Sequence, residues 1–272
     1  MTKSSLLTNL LDNFKPDPDD RPVVALRVAV DQNDSEQPIH QHRKGQLVLA
    51  LYGGVTCDVP GVRWMVPPQH AVWIPGEVPH SNRATANAHI YFLFIEPGAA
   101  NLPDHCCTLA INPLVRELIQ HLAQAPDYPR EGPTARLAAV LLEQLPMAPI
   151  QQLHFPVPQH PKIRLITDAL EQNSADRTTA AQWASRLAMS ERSLARLVQR
   201  ETGLPLGRWR QQLRLLVALR QLAEGATVQQ VAGNLGYDSV TAFITMFKKA
   251  LGTPPARYFA GLRQNDTGAP AS

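Results

Sequence analysis

Residues 231–258 read Val231-Ala232-Gly233-Asn234-Leu235-Gly236-Tyr237-Asp238-Ser239-Val240-Thr241-Ala242-Phe243-Ile244-Thr245-Met246-Phe247-Lys248-Lys249-Ala250-Leu251-Gly252-Thr253-Pro254-Pro255-Ala256-Arg257-Tyr258. The stretch is two helices separated by a tight turn. Thr227 stands as cap of the first helix, which stops at Gly236, and Ser239 caps the second, which stops at Gly252 before Pro254-Pro255. Ala232 supplies the small residue that lets the helices touch, and Phe243 and Phe247 turn inward. A scaffold helix, a short turn and a second helix presented to solvent form the unit that enters a DNA major groove.

The same arrangement occurs upstream. Thr178-Thr179 caps a helix carrying Trp183, Ala184 and Leu187; the turn is Ala188-Met189, and Ser190 opens the next helix. Its inward face is Leu194, Leu197 and Val198, while Arg192, Ser193, Arg196, Gln199 and Arg200 fall elsewhere. A helix over 206–224 separates the two units. At about 1.5 Å per residue its length is roughly 28 Å, against roughly 34–36 Å for a turn of B-DNA. That length places two reading helices about one turn apart on one face of a duplex.

Charge agrees with this reading. Residues 161–263 hold 15 Lys+Arg against 7 Asp+Glu, and the rest of the chain 11 against 16. The overall formal charge of +3 therefore conceals a basic module joined to an acidic one, the footprint of a polyanion-binding domain attached to something else.

These segments resemble the AraC/XylS family of bacterial regulators. The resemblance covers about 160–260 and rests on Val231-Ala232, Leu235-Gly236-Tyr237, Phe243, Phe247-Lys248-Lys249, Gly252-Thr253-Pro254 and Tyr258. Upstream it rests on Ser190, Leu194-Ala195-Arg196 and Gly203, and on Arg214, Ala218 and Leu222. It implies that Arg192, Ala195 and Arg196 face base edges from the first unit, and Val240, Thr241, Ile244 and Thr245 from the second. Arg196 suits a bidentate contact to guanine. Lys248, Lys249 and Arg200 suit phosphates. The second reading helix departs from expectation in having no Arg or Gln on its reading face. The first unit is thus expected to carry most hydrogen-bonded readout. Any single arginine reads equally well as a solvated surface charge; the constellation is what argues for DNA.

Ahead of this domain the texture differs. Residues 23–30, 46–52, 71–74 and 88–95 are β-rich runs divided by Gly53-Gly54, Pro60-Gly61, Pro67-Pro68 and Pro75-Gly76, which predicts a small β-barrel or sandwich. Asn112-Pro113 then opens a helix with Leu114, Val115, Leu118, Ile119 and Leu122 on one face. A second helix from about Thr134 gathers Leu137, Val140, Leu141 and Leu145. The two are expected to pair, either on the β-module or against a second subunit. Five prolines within 146–161 predict a non-helical linker. The expected fold is α+β and multidomain: a cupin-like sensing barrel over 1–105, linker or dimerisation helices over 106–155, an all-α DNA-binding domain over 156–263 and a disordered tail over 264–272.

The likeness of the barrel to cupins lies in His40-Gln41-His42, Gln46 and Pro75-Gly76-Glu77-Val78-Pro79-His80. If His40 heads a strand, alternation turns His40, His42 and Gln46 to one face. In cupins such histidines, with an acidic residue, hold a transition metal; here Gln46 stands in the acidic place, and a neutral amide supplies no charge. Three readings fit. The cluster lines a pocket for a small organic effector, with Trp64, Trp73, Tyr91 and Phe92 as apolar walls; or His40, His42 and His80 bind a divalent metal; or the residues are structural. Taken one by one, each aromatic reads better as ordinary barrel core. His70, His89 and His105 receive no role.

Cys57, Cys106 and Cys107 are odd in number and two are adjacent, which argues for reduced thiols rather than a disulfide framework. No apolar run approaches roughly 18 residues, and Met1-Thr2-Lys3-Ser4-Ser5-Leu6-Leu7 is too weak for a signal peptide. The expectation is a cytoplasmic, homodimeric transcriptional regulator, not an enzyme. Its expected partners are promoter DNA, a small-molecule effector and, for an activator, RNA polymerase, with no membrane. The rival is a metal-dependent cupin enzyme or metal sensor fused to a DNA-binding module.

Overall fold

The computed structural model describes residues 14–30, 35–66, 70–85, 88–151 and 153–263. The expected tail over 264–272 lies outside them. They divide into two compact units, one within Met1–Pro60 and Trp64–His154, the other within Gly61–Arg63 and Phe155–Ser272.

The first unit is built from β1 (Val23–Val30), β2 (Ser35–His40), β3 (Gly45–Tyr52), β4 (Val55–Val59), β5 (Val62–Val66), β6 (His70–Ile74), β7 (His80–Ala84), β8 (Ala88–Ile95) and β9 (Cys107–Ala110). With β10 (Ile150–Gln151) and β11 (His154–Pro156) they make two sheets, ordered β1-β8-β3-β6-β9-β10 and β11-β5-β4-β7-β2. The ladders of β8 with β1 and β3, of β6 with β3 and β9, and of β7 with β2 and β4 are antiparallel.

Register decides what each face of the central strand β3 meets. Leu47 lies opposite Trp73 and Leu93, so these three share a face. With Leu49, Ala71, Tyr91 and Leu109 they form one core with Val115, Leu118, Ile119 and Leu122 of α1 (Pro113–Gln124), and with Ala138, Leu141 and Leu142 of α2 (Pro133–Gln144). Gln46 lies opposite Ile74 and Phe94, on the other face. Residues 45–50 of β3 are accordingly all buried rather than alternating, because helices cover one face and the histidine-bearing second sheet meets the other.

The helix pair therefore packs on the β-module, the first of the two placements open from sequence. Asn112 caps α1 through its side chain, accepting from Val115 N at 2.9 Å, with Pro113 at the first turn. The proline-rich stretch is more ordered than a plain linker: it contains a 3-10 turn (Leu145–Met147), β10 and β11. Prolines there occupy the turn and strand ends, where a missing N–H costs nothing.

The second unit is helical: α3 (Pro161–Gln172), α4 (Ala180–Arg186), α5 (Glu191–Thr202), α6 (Leu206–Ala223), α7 (Val228–Asn234), α8 (Val240–Leu251) and α9 (Pro255–Arg263). The last follows the helix that sequence suggested would close the domain. Trp209 of α6 is fully buried, stacks on Phe155 at 5.6 Å between centroids and donates its indole N–H to Pro156 O at 3.1 Å. Around it lie Ile163, Ile166, Leu170, Trp183, Leu194, Val198 and Leu213. α6 has 18 residues, so it is roughly 27 Å long at about 1.5 Å each. No described helix is long and apolar enough to cross a membrane.

Candidate DNA interface and histidine cluster

The two helix-turn-helix units repeat one another in atomic detail. Thr179 accepts from Gln182 N at 3.2 Å while its own N–H donates to Gln182 Oε1 at 2.9 Å. Thr227 and Gln230 do the same at 3.2 and 2.8 Å, so both scaffold helices begin with a capping box. Ala184 and Ala232 are both buried and accept from Met189 N (2.9 Å) and Tyr237 N (3.0 Å). The turns then bend through the left-handed region at Ala188 (φ 50°) and Gly236 (φ 71°). From Ala184 to the cap Ser190 the first turn is one residue shorter than from Ala232 to the cap Ser239. Both reading helices end on left-handed glycines, Gly203 and Gly252.

On the first reading helix, α5, the inward residues Leu194, Leu197 and Val198 are buried. Arg192, Ala195, Arg196, Gln199 and Arg200 are exposed, and Ser193 is half-buried. Two of these have local work: the Ser190 hydroxyl donates to the Ser193 hydroxyl at 2.9 Å, and the Gln199 amide donates to Gly203 O at 2.7 Å. On α8, Met246 is buried beside Phe243 and Phe247. Val240, Thr241, Thr245, Lys248 and Lys249 are exposed and Ile244 half-buried. The Thr245 hydroxyl donates back to Thr241 O at 2.9 Å.

Two neighbours carry no mark in the sequence reading. His160 and Lys162, at the start of α3, line an open groove of about 510 Å³ with Met189, Ser193, Arg196 and Arg200. Lys162 Nζ donates to Leu187 O at 2.7 Å, at the end of the first scaffold helix. A cation in the first turn of a helix opposes the helix dipole, and that was the available signal.

The histidines come together by a route other than the one alternation suggested. His40 ends β2 rather than heading a strand, and residues 41–44 turn before β3 begins at Gly45. His40 lies directly opposite His80 of β7. Ring centroids are 4.3 Å apart for His40–His80, 5.1 Å for His42–His80 and 5.8 Å for His40–His42. The turn is fixed by Asp17, which accepts from Arg43 N (2.9 Å) and Lys44 N (3.1 Å), and by Glu77 N donating to His42 O at 2.9 Å. Gly76 is required there, since a Cβ at that position would stand 2.0 Å from Arg43 O.

All three Nδ1 atoms face backbone carbonyls: Pro38 O (2.8 Å), Lys44 O (2.5 Å) and Val78 O (2.8 Å) for His40, His42 and His80 in turn. His42 Nε2 lies 3.1 Å from Gln46 Oε1, so Gln46 does join the cluster. His80 is buried, and burial above all lowers its pKa to about 3, which keeps the ring neutral.

The aromatic walls need correction. Trp73 and Tyr91 belong to the face beneath α1 and α2, with Trp73 Nε1 donating to Pro103 O at 2.8 Å. Trp64 packs against His154 at 4.9 Å between centroids. Phe92 lies on the face of Gln46, and Phe94, which sequence reading passed over, meets the His42 ring edge-on at 5.2 Å. Phe94 sits two residues from Phe92 on the same strand, so alternation was the signal for it.

Comparisons with known proteins place these features. A family described as a helix-turn-helix domain matches residues 183–261. The chain is 53% identical over 253 residues to the HTH-type transcriptional regulator NimR of Escherichia coli (strain K12), covering 93% of each. It is 28% identical over 106 residues to the HTH-type transcriptional regulator RipA of Corynebacterium glutamicum, covering 39% of this chain and 32% of that one. Among solved structures it is similar to ToxT from Vibrio cholerae at 10% identity and a TM-score of 0.38, over 89% of this chain and 98% of that one. With two helix-turn-helix units and a relative more than half identical along almost its whole length, the chain belongs to the AraC-type family of DNA-binding transcriptional regulators.

Proposed function

We propose that this regulator reads promoter DNA chiefly through Arg192 and Arg196 of α5. Arg200, Lys248 and Lys249 hold phosphates, and Ala195, Val240, Thr241, Ile244 and Thr245 contribute apolar and methyl contacts. The observation that carries this reading is that both reading helices leave these side chains exposed while burying Leu194, Val198, Phe243 and Phe247. Ser193 and Gln199 are better suited to holding the helix ends, given their local hydrogen bonds.

In the same proposal the barrel is the sensor. His40, His42, Gln46 and His80 form its recognition cluster, an effector there shifts the balance between DNA-competent and incompetent states, and the active form is a cytoplasmic homodimer. A bound effector acts only through its different affinity for those states, so the sign of regulation is open to activation through RNA polymerase or to repression. The test is selection of bound fragments from a random DNA pool, with wild type and Arg196→Ala compared. A shared motif that loses one specified base in the variant supports the reading; recovery of unrelated fragments by wild type would defeat it.

A further inference from the structure

Carbonyl oxygens only accept, so each of the three histidines turned by its Nδ1 toward a backbone carbonyl carries its proton on Nδ1. In the neutral ring the lone pair is then on Nε2. This holds at once for His40, His42 and His80, whose candidate ligand atoms, one from each residue, all lie within 4.8 Å of one another. His80 Nε2 is buried without a hydrogen-bond partner. His42 Nε2 faces Gln46 Oε1 at 3.1 Å, acceptor against acceptor, and Gln46 Nε2 is also buried without a partner. Rotating the Gln46 amide settles that one contact and leaves His80 Nε2 as it was. A buried acceptor without a donor costs roughly 1–3 kcal/mol, so His80 Nε2, with ring nitrogens of His40 and His42 within 4.8 Å, calls for a positive centre.

We propose that His40, His42 and His80 bind a divalent transition-metal ion, with Gln46 Oε1 or water completing its shell. Hydrogen bonds from Nδ1 to carbonyls are the arrangement that orients histidine ligands and raises their basicity. Nitrogen donors favour zinc, nickel, copper or cobalt over magnesium and calcium. The donor set contains no carboxylate, so the ion keeps its full double charge and an open position suits water or an anionic co-ligand. The inference names a ligand class for the sensor cluster and in that respect rests on the sensor reading.

The test uses the full chain, stripped with a chelator and titrated with cobalt(II) chloride alone, then with zinc and nickel in competition. One equivalent per chain is expected, with visible d–d bands of a nitrogen-bound ion. His42→Ala and His80→Ala should weaken binding by at least roughly 100-fold, beyond the ~10–100-fold cost of losing a supporting hydrogen bond. Gln46→Glu, which keeps the geometry and adds a charge, should tighten it roughly tenfold, about 1.4 kcal/mol. Absence of the bands in wild type, or equal binding by a folded His40→Ala/His42→Ala double variant, overturns the site. DNA affinity measured in parallel separates the two ideas: one bound equivalent that leaves DNA binding unchanged keeps the metal site and removes the sensor reading.

Discussion

Arg177 grips the turn of the second helix-turn-helix unit from the loop that leads into the first: its Nη2 donates to Gly236 O at 2.6 Å and to Asp238 Oδ1 at 2.7 Å. The loop is itself held by the helix between the units, since Arg210 donates to Thr178 O (2.6 Å) and Asp176 O (2.7 Å) and Arg214 to Asp176 O (3.0 Å). α6 sets the distance between the two readers. The Arg177 contacts restrain how they turn about it.

Arg177→Ala should therefore change spacing tolerance more than stability. An exposed ion pair is worth roughly 0.2–1 kcal/mol, so the melting temperature should move little. Binding to operators in which the two half-sites are brought one base pair closer or further apart should lose less affinity in the variant than in wild type. The same sharp spacing optimum in both proteins would show that α6 alone sets the geometry.

The two turns differ in how well their residues suit them. Ala188 is exposed at φ 50°, a region that costs a residue with a Cβ roughly 1–2 kcal/mol, whereas the matching Gly236 suffers no such cost. Ala188→Gly should raise stability by about 1 kcal/mol, or roughly 2–4 °C in melting temperature. Gly236→Ala should do the reverse and more, because its new methyl would lie 3.0 Å from Ala175 O as well as at positive φ. Thermal melts of the two variants beside wild type check both signs.

Within the reading surface, Arg196→Ala should cost roughly 1–3 kcal/mol at one base position and little elsewhere. Lys248→Ala should weaken every sequence alike and reduce the salt slope by about 1. Fluorescence anisotropy against a set of single-base operator variants at several salt concentrations measures both. Identical, sequence-independent losses would erase the proposed division between the two helices.

A further prediction concerns acid. The Arg21 side chain, donating to Asp19 Oδ1 from Nε at 2.9 Å, is the main reason the Asp19 carboxyl is held down to about 2 from the usual 3.8. Its folded pKa lies below the unfolded one, so the stabilisation is complete above about pH 4 and fades as pH falls toward 2. Arg21 also lies over the Tyr128 ring at 5.0 Å, so this pair fastens the segment before β1 to the loop between α1 and α2. Asp19→Asn should lower the melting point at neutral pH, by about 1–2 kcal/mol of stability, with the gap to wild type closing near pH 2 to 3. A gap that is constant with pH would assign the effect to shape rather than charge.

The helical half was legible because its signals are local. Caps at Thr179, Ser190, Thr227 and Ser239 and the stop at Gly252 depend on residues within a turn of one another, and each is where spacing predicted it. The barrel was legible only in outline. His40, His42 and His80 were rightly grouped, but their meeting depends on the pairing of β2 with β7 and on a turn held by Asp17, both long-range. Arg177 went unmarked for the same reason: a solvated arginine and one that reaches 59 residues along the chain to Gly236 look alike in sequence.

Trp73 makes the same point and gives the last test. Its strand is buried on both faces, so no alternation tells which side it serves. Register does: opposite Leu47, it belongs to the core under α1 and α2, turned away from Gln46 and the histidines. Trp73→Leu should cost stability, about 2–4 kcal/mol for the lost ring and the space it leaves, as large-to-small core changes do. It should leave cobalt binding at the histidines unchanged once the melting temperature is allowed for. Phe94→Leu should do the opposite, with a smaller loss of stability and a disturbed cobalt spectrum, because that ring lies edge-on against His42. Should Trp73→Leu alter the spectrum as strongly as Phe94→Leu, the two faces of the sheet are not the separate environments that the register describes.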